Sequence, residues 1–230
     1  MIMRRQTVSV PTVRSDHHIG VVPERDDDVP HISFVYGSRR SARVARRMLD
    51  VFVATVVLVV TAPLLLLAIL AILAEDRGPA LFVQHRVGRF ERLFAMYKLR
   101  TMRVDMCGDE FTPSTSSDAR ITRVGRVLRK TSIDELPQLI NVIRGDMTLI
   151  GPRPEMPFIV REYAPWQHLR HLAAPGLTGL WQVTCRSKVP LHRPEATLLD
   201  LEYIRRASAS TDLKILLETV RVVVNGQGAH

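Results

Sequence analysis

A run of 24 consecutive uncharged residues, 51–74 (VFVATVVLVVTAPLLLLAILAILA), constrains the fold of this chain more than any other feature. About 20 apolar residues suffice to cross a hydrocarbon core of about 30 Å. Five arginines, Arg39, Arg40, Arg43, Arg46 and Arg47, precede the run and hold that flank in the cytoplasm. Glu75 and Asp76 follow it, but so do Arg77, Arg86, Arg89 and Arg92. With both flanks basic, charge gives little support for carrying the second one across.

Pro63 stands at the thirteenth of these residues. A mid-helix proline removes a backbone hydrogen bond and clashes with the preceding turn. Two halves of about a dozen residues would each run roughly 18 Å. That is too short to cross and long enough to dip in and return. Proline is tolerated in membrane helices, so hydropathy alone favours one kinked spanning helix.

The 230 residues leave room for one domain and an appendage. A formal charge of +9 predicts attraction to nucleic acid, anionic lipid or phosphorylated substrates. Cys107 and Cys185 form neither a disulfide framework nor a zinc signature, which fits a reducing cytosolic setting. Residues 1–38 carry Glu24, Arg25, Asp26, Asp27, Asp28 and prolines 11, 23 and 30. They read as a disordered cytoplasmic leader rather than a signal peptide. Residues 39–77 form the basic flank and membrane helix, and residues 78–230 the remaining domain.

Within that domain, β-prone pieces at 80–89 and 92–102 surround a glycine-containing turn and predict a small hairpin. Residues 105–119 read as a mobile loop. Apolar Ile121, Val124, Val127 and Leu128 recur at helical spacing. Residues 133–143 continue as a helix that Gly145 ends. Residues 158–172, with Tyr163 and Trp166, read as a membrane-interface segment. Two further helices are expected in 195–224, separated near 207–210. The fold class is mainly α with a small β-hairpin (α+β). His168, His171 and His192 lack metal-ligand spacing to a carboxylate or cysteine and read as isolated interface histidines.

Chemistry concentrates at Ser132-Ile133-Asp134-Glu135. The S-x-x-E pattern is a capping box, with Ser132 accepting from a first-turn N–H. Asp134 then sits where the helix dipole favours its anion. A carboxylate among arginines can attack phosphorus, and a carboxylate pair with phosphate oxygens suits Mg²⁺. Taken alone, the tetrapeptide is equally a well-capped helix. Pro152 and Pro154 fix the backbone that presents Arg153. Arg129 lies five residues before Asp134, and Lys98 and Arg100 add positive potential.

The blocks around this site stand in a recognisable order. They include Gly78-Pro79, Gln84, Arg86-Val87-Gly88 and Lys98-Leu99-Arg100-Thr101-Met102. Arg129, Ser132, Asp134-Glu135, Leu136-Pro137-Gln138-Leu139, Gly145-Asp146-Met147 and Gly151-Pro152-Arg153-Pro154 follow. Pro175-Gly176, Thr178-Gly179, Trp181-Gln182-Val183, Arg186, Asp200 and Tyr203 complete the series. Together they resemble the bacterial sugar transferase family, the small monotopic phosphoglycosyl transferases, from about residue 47 to about 228.

The resemblance implies a re-entrant helix broken at Pro63, although Ala62 replaces the family's serine, and interfacial amphipathic helices. It implies that Asp134 attacks the β-phosphate of a UDP-sugar and releases UMP. A polyprenyl (undecaprenyl) phosphate then accepts the phosphosugar, which initiates exopolysaccharide or glycoconjugate synthesis. Asp134 and Glu135 become the catalytic pair and the Mg²⁺ contacts. Arg129, Arg153, Arg186, Lys98 and Arg100 become phosphate-binding residues, with Cys185 where the family usually has glycine. The implied location is the cytoplasmic face of a bacterial inner membrane, on anionic lipid and without nucleic acid. A different class also accounts for the charge and the apolar run: a non-catalytic basic tether for anionic lipid or nucleic acid. That reading gives no reason for Asp134-Glu135 beside Gly-Pro-Arg-Pro.

Overall fold

The computed structural model describes residues 8–9, 31–32, 40–106, 118–185 and 190–224. Strands β1 (Val8–Ser9) and β2 (His31–Ile32) pair antiparallel. The rest of the 1–38 leader, Cys107 and most of the 105–119 loop lie outside the described residues.

Helix α1 spans Arg40–Glu75 and is long and apolar enough to cross a membrane by length and composition. It runs as a single element with Pro63 inside it. Helical backbone continues through Pro63, so the two expected halves form one element, and a re-entrant path would need a bend within it. A proline withholds one N–H, and the ladder resumes on either side of it. Thr61 Oγ1 also caps the preceding turn by donating to the Val57 carbonyl at 2.7 Å.

One stripe of α1 faces the rest of the protein. Ala54 packs with Met96, Leu139, Val142 and Met147, while Ala68 and Ile72 pack with Leu99 and Leu128. Alanines at these contacts let the backbones approach closely. The other face exposes Phe52, Val59, Val60, Leu66 and Leu67. Such a continuous apolar surface exceeds what a water-facing helix carries.

Both ends of α1 are also held by polar contacts. Arg47 donates to the Val142 and Ile143 carbonyls that end a later helix, and Arg46 donates to the Ile150 carbonyl. At the far end, Glu75 accepts from the Arg123 and Val124 N–H groups, each at 2.7 Å.

Strands β3 (Leu81–Val87) and β4 (Leu93–Leu99) form the expected antiparallel hairpin, from Leu81 opposite Leu99 to Val87 opposite Leu93. Its turn holds Phe90 at φ 54° and Glu91 at φ 60°, two successive left-handed non-glycine residues. Helix α2 (Arg123–Thr131) is capped by Thr122, whose hydroxyl accepts from the Gly125 N–H at 2.8 Å.

The single helix expected over 133–143 is two elements, a 3-10 turn at Ile133–Glu135 and helix α3 at Gln138–Arg144. Pro137 has no N–H to return to Ile133, so Leu136 closes the turn on the Ile133 carbonyl at 3.2 Å instead. Ser132 is not an N-cap. At φ 57° it is the left-handed C-cap of α2, and its side chain makes no cap bond. Gly145, at φ 100°, ends α3 as expected.

Strand β5 (Thr148–Ile150) pairs in parallel with β6 (Gly176–Thr178). Helix α4 (Pro157–Val160), a 3-10 helix (Pro165–Leu172) and helix α5 (Leu180–Thr184) lie around this pair. Of the two roles open to Trp166, membrane anchor or core anchor, the structure shows the core one. Trp166 is buried with Leu198, Leu201 and Ile204 of helix α6 (Pro194–Arg206). Helix α7 (Ala209–Val224) follows after Ser208 and exposes Leu213, Leu217 and Val220, an apolar stripe at helical spacing.

Candidate active site

Four segments meet at Asp134 and Glu135. The 3-10 turn sets both carboxylates into the interior, 7 % and 8 % exposed. Strand β4 contributes Lys98, whose Nζ lies 3.1 Å from Glu135 Oε1. The Gly151-Pro152-Arg153-Pro154 turn contributes Arg153, which grips Glu135 with Nη2 at 2.5 Å and Nη1 at 3.3 Å. Helix α2 contributes Arg129, whose Nε donates to Thr101 Oγ1 at 2.9 Å. Its Nη1 is buried without a hydrogen-bond partner.

The turn that carries Arg153 is fixed from several sides. Arg170 donates to the Arg153 carbonyl at 2.7 Å and is itself paired with Asp200. Arg86 reaches the Pro154 carbonyl at 3.4 Å and Glu155 at 3.7 Å. Gly176 donates to the Pro152 carbonyl at 2.8 Å. A Cβ on Gly176 would lie 2.1 Å from the Gly151 nitrogen, so the two chains can approach this closely only without one. On the opposite side, Asn141 staples α3 to the hairpin, accepting from the Tyr97 N–H and donating to the Ala95 carbonyl.

The electrostatics follow from burial. Burial is the main force on Lys98 and pulls its ammonium down to about 8, against the attraction of Glu135. Burial also pulls the Arg129 guanidinium down, while Asp134 holds it up. Burial raises Glu155, and Arg170 and Arg86 oppose that rise. Asp134 thus sits among half-buried cations held by fixed partners.

The structure brings together Asp134, Glu135, Arg153, Lys98 and Arg129. Arg100 points elsewhere: its guanidinium pairs with Asp76 at the end of α1, bonding the Asp76 carbonyl as well. Arg186 lies outside the described residues. An apolar cavity of about 220 Å³ opens beside Glu135, lined by Ile133, Leu136, Leu149, Leu177, Val183 and Leu216.

Sequence reasoning did not assign Arg86, Glu155, Arg170 and Asp200 to the support of this turn. It also separated His168 and His171 from any carboxylate, whereas the fold sets Glu91 of the hairpin turn 2.8 Å from His168 Nδ1. The two residues are 77 positions apart, so no local spacing joins them.

A carboxylate pair braced by cations, with an apolar cavity beside it, is thus carried by a chain that also has one helix apolar and long enough to cross a membrane. The chain belongs to the bacterial sugar transferase family, whose family model it matches over residues 41–226. It is 44 % identical over 199 residues to the UDP-glucose:undecaprenyl-phosphate glucose-1-phosphate transferase of Caulobacter vibrioides, covering 84 % of this chain and 74 % of that one. It is 40 % identical over 199 residues to the galactosyl transferase CpsE of Streptococcus agalactiae, covering 81 % of this chain and 43 % of that one. An exopolysaccharide production protein of Rhizobium leguminosarum is 38 % identical over 188 residues, with 77 % and 94 % covered. The match thus spans less than half of some curated relatives and nearly all of others.

Proposed function

We propose that this chain transfers a sugar-1-phosphate from a UDP-sugar to a polyprenyl phosphate such as undecaprenyl phosphate. An Asp134 carboxylate oxygen attacks the β-phosphorus, the bond to the UMP oxygen breaks, and UMP leaves. The phosphosugar stays on Asp134 as an acyl phosphate. A polyprenyl phosphate oxygen then attacks the same phosphorus, the Asp134 carboxylate departs, and a polyprenyl diphosphate sugar results.

One observation carries this reading. Glu135 ties up Lys98 and Arg153 directly beside Asp134, so the neighbouring carboxylate lies in a field of fixed positive charge. The unpartnered, buried Arg129 Nη1 supplies a donor for a phosphate oxygen. Positive groups set in advance around a site of developing charge lower the barrier without reorganising. The cavity beside Glu135 suits the first isoprene units of the acceptor.

The same pair fits Mg²⁺, a hard cation that takes few carboxylates and completes its shell with phosphate oxygens and water. Asp134 is its main protein ligand in this reading, because the Glu135 oxygens already accept from Lys98 and Arg153. When bound, Mg²⁺ neutralises charge on the diphosphate.

In this reading the soluble UDP-sugar donor puts the catalytic domain on the cytoplasmic face of an inner membrane, with Arg43 and its neighbours meeting anionic headgroups. We take the membrane segment to be re-entrant. Both halves of α1 rest on one domain, through Ala54 and through Ala68 and Ile72, which favours two ends on the same side of the bilayer. The names of the relatives specify glucose, galactose and N-acetylgalactosamine, so the sugar is left to a panel.

Purified full-length protein with Mg²⁺, undecaprenyl phosphate and a panel of UDP-sugars should release UMP with at least one donor. No release with any sugar would overturn the reading and leave the basic lipid-binding tether. Labelling of the C-terminus from the periplasmic side in intact cells would overturn the re-entrant arrangement.

A further inference from the structure

A second cluster includes two histidines that flank Arg170 in sequence. His168 and His171 stand three residues apart on the 3-10 helix Pro165–Leu172 and project to one side. The hairpin turn brings Glu91 against them. We propose that Glu91, His168 and His171 form a binding site for a first-row divalent transition ion of the zinc type, which clamps the hairpin turn to the segment that carries Arg170.

The geometry suits such an ion. The three residues each place a ligand atom within 4.8 Å of the others. Glu91 Oε1 lies 2.8 Å from His168 Nδ1 and 3.7 Å from His171 Nδ1. Ligands about 2.0–2.1 Å from a tetrahedral ion are separated by about 3.3 Å, which these two distances bracket. Two imidazoles and a carboxylate are the donors zinc and its neighbours prefer, whereas Mg²⁺ and Ca²⁺ select oxygens alone.

His171 supplies an independent observation. It is 6 % exposed, yet neither ring nitrogen makes a hydrogen bond. A buried polar group without a hydrogen bond is costly, and His171 has only the 3.7 Å approach of Glu91 at Nδ1, too long for a hydrogen bond, which leaves its nitrogens free to take a ligand. Tyr163 stacks on its ring with 11° between planes and fixes the direction of its nitrogens. Asp200 balances the Arg170 charge nearby.

The turn itself is built for the contact. Phe90 and Glu91 both adopt left-handed backbone, a conformation that non-glycine residues rarely hold without a compensating interaction. Glu91 and His168 are partly open to solvent, which gives an ion a way in.

Full-length protein in detergent, stripped with a chelator, should bind one equivalent of Co²⁺ and develop the visible absorption of a four- or five-coordinate site. Zn²⁺ should displace the colour and raise the melting temperature. His168→Asn and Glu91→Gln, both at partly exposed positions, should abolish the colour and weaken binding by at least about tenfold. Asp134→Asn should retain it in full, which separates this site from the Mg²⁺ site. No colour in the wild-type protein, undiminished affinity in both ligand variants, or loss of colour in Asp134→Asn would overturn the proposal. Co²⁺ absorption does not depend on sugar transfer, so failure here and failure of the transferase reading remain distinct.

Discussion

Arg170 donates to the carbonyl oxygen of Arg153, so a buried cation holds the backbone of the residue that grips Glu135. Arg170 is 1 % exposed and its charge is matched by Asp200 and the Tyr163 hydroxyl. Burial is the largest single influence on the guanidinium and lowers it, while Asp200, Tyr163 and Glu155 together outweigh that burial and keep it charged.

Removing one partner of such a pair leaves the other charge stranded. Arg170→Ala should therefore cost about 3–5 kcal/mol of stability. Arg170→Lys keeps the charge but not the planar fork that reaches Arg153 and Asp200 together. It should fold and show reduced kcat. Chemical denaturation of both variants, with UMP release for the lysine variant, checks this.

Asp134→Asn should lower turnover by at least about 10⁴-fold, because no acyl phosphate can form on an amide. Its melting temperature should stay close to wild type. Radiolabel from a phosphate-labelled UDP-sugar should remain on acid-quenched wild-type protein and be absent from the variant. Equal labelling of both would remove Asp134 from the covalent role.

Lys98 gives a pH signature. Its folded-state value of about 8 lies below that of a free lysine, so it loses its proton in the folded state first. Between about pH 8 and 10.5 the unfolded chain binds more protons than the folded one, and stability contributed by this group rises with pH. It is lost as pH falls through about 8. The gain across the window is up to about 3 kcal/mol. Metal-free wild type should therefore gain stability relative to Lys98→Met as pH rises from about 8 to 10. A constant difference would place Lys98 in a wetter environment than its contacts with Glu135 and the turn indicate.

Gly176→Ala should destabilise the protein by about 1–3 kcal/mol and depress activity as well. The added Cβ would push against Gly151, and the displacement would reach Arg153 two residues on. Gly145→Ala is the useful contrast. Its left-handed φ of 100° makes it costly too, but it lies at the far end of α3. Its activity per folded molecule should be preserved.

The hairpin, the apolar helix and the α6–α7 division were legible in the sequence because each has a local signal, while the grouping of Asp134, Glu135, Arg129 and Arg153 came from the ordered blocks of the family resemblance. β-Prone residues around a glycine-containing turn mark β3 and β4, and Gly145 marks a helix end. The errors have local causes of another kind. Ser132 matches a capping box letter for letter, but α2 ends on it and forces a left-handed backbone that no N-cap adopts. Pro137, read as part of a motif, also cuts the helix that was expected to contain it. Arg100 carries the same charge as Lys98, yet only the fold shows that Asp76 holds it. The Glu91–His168 contact and the β5–β6 pairing join distant segments, and nothing in either segment alone announces the other.

Helix α1 contributes side chains to two of the hydrophobic clusters and closes the start of α2 with Glu75. It is therefore no leash that could be exchanged for another greasy sequence of equal length. A chain begun at residue 78 would present Met96, Leu139, Leu99 and Leu128 to water, and its failure to fold would be a packing defect rather than a lost address. The bilayer, by solvating the outer face of α1, is in this sense a participant in the folding of the domain, and the lipid environment becomes a variable of stability alongside temperature and pH.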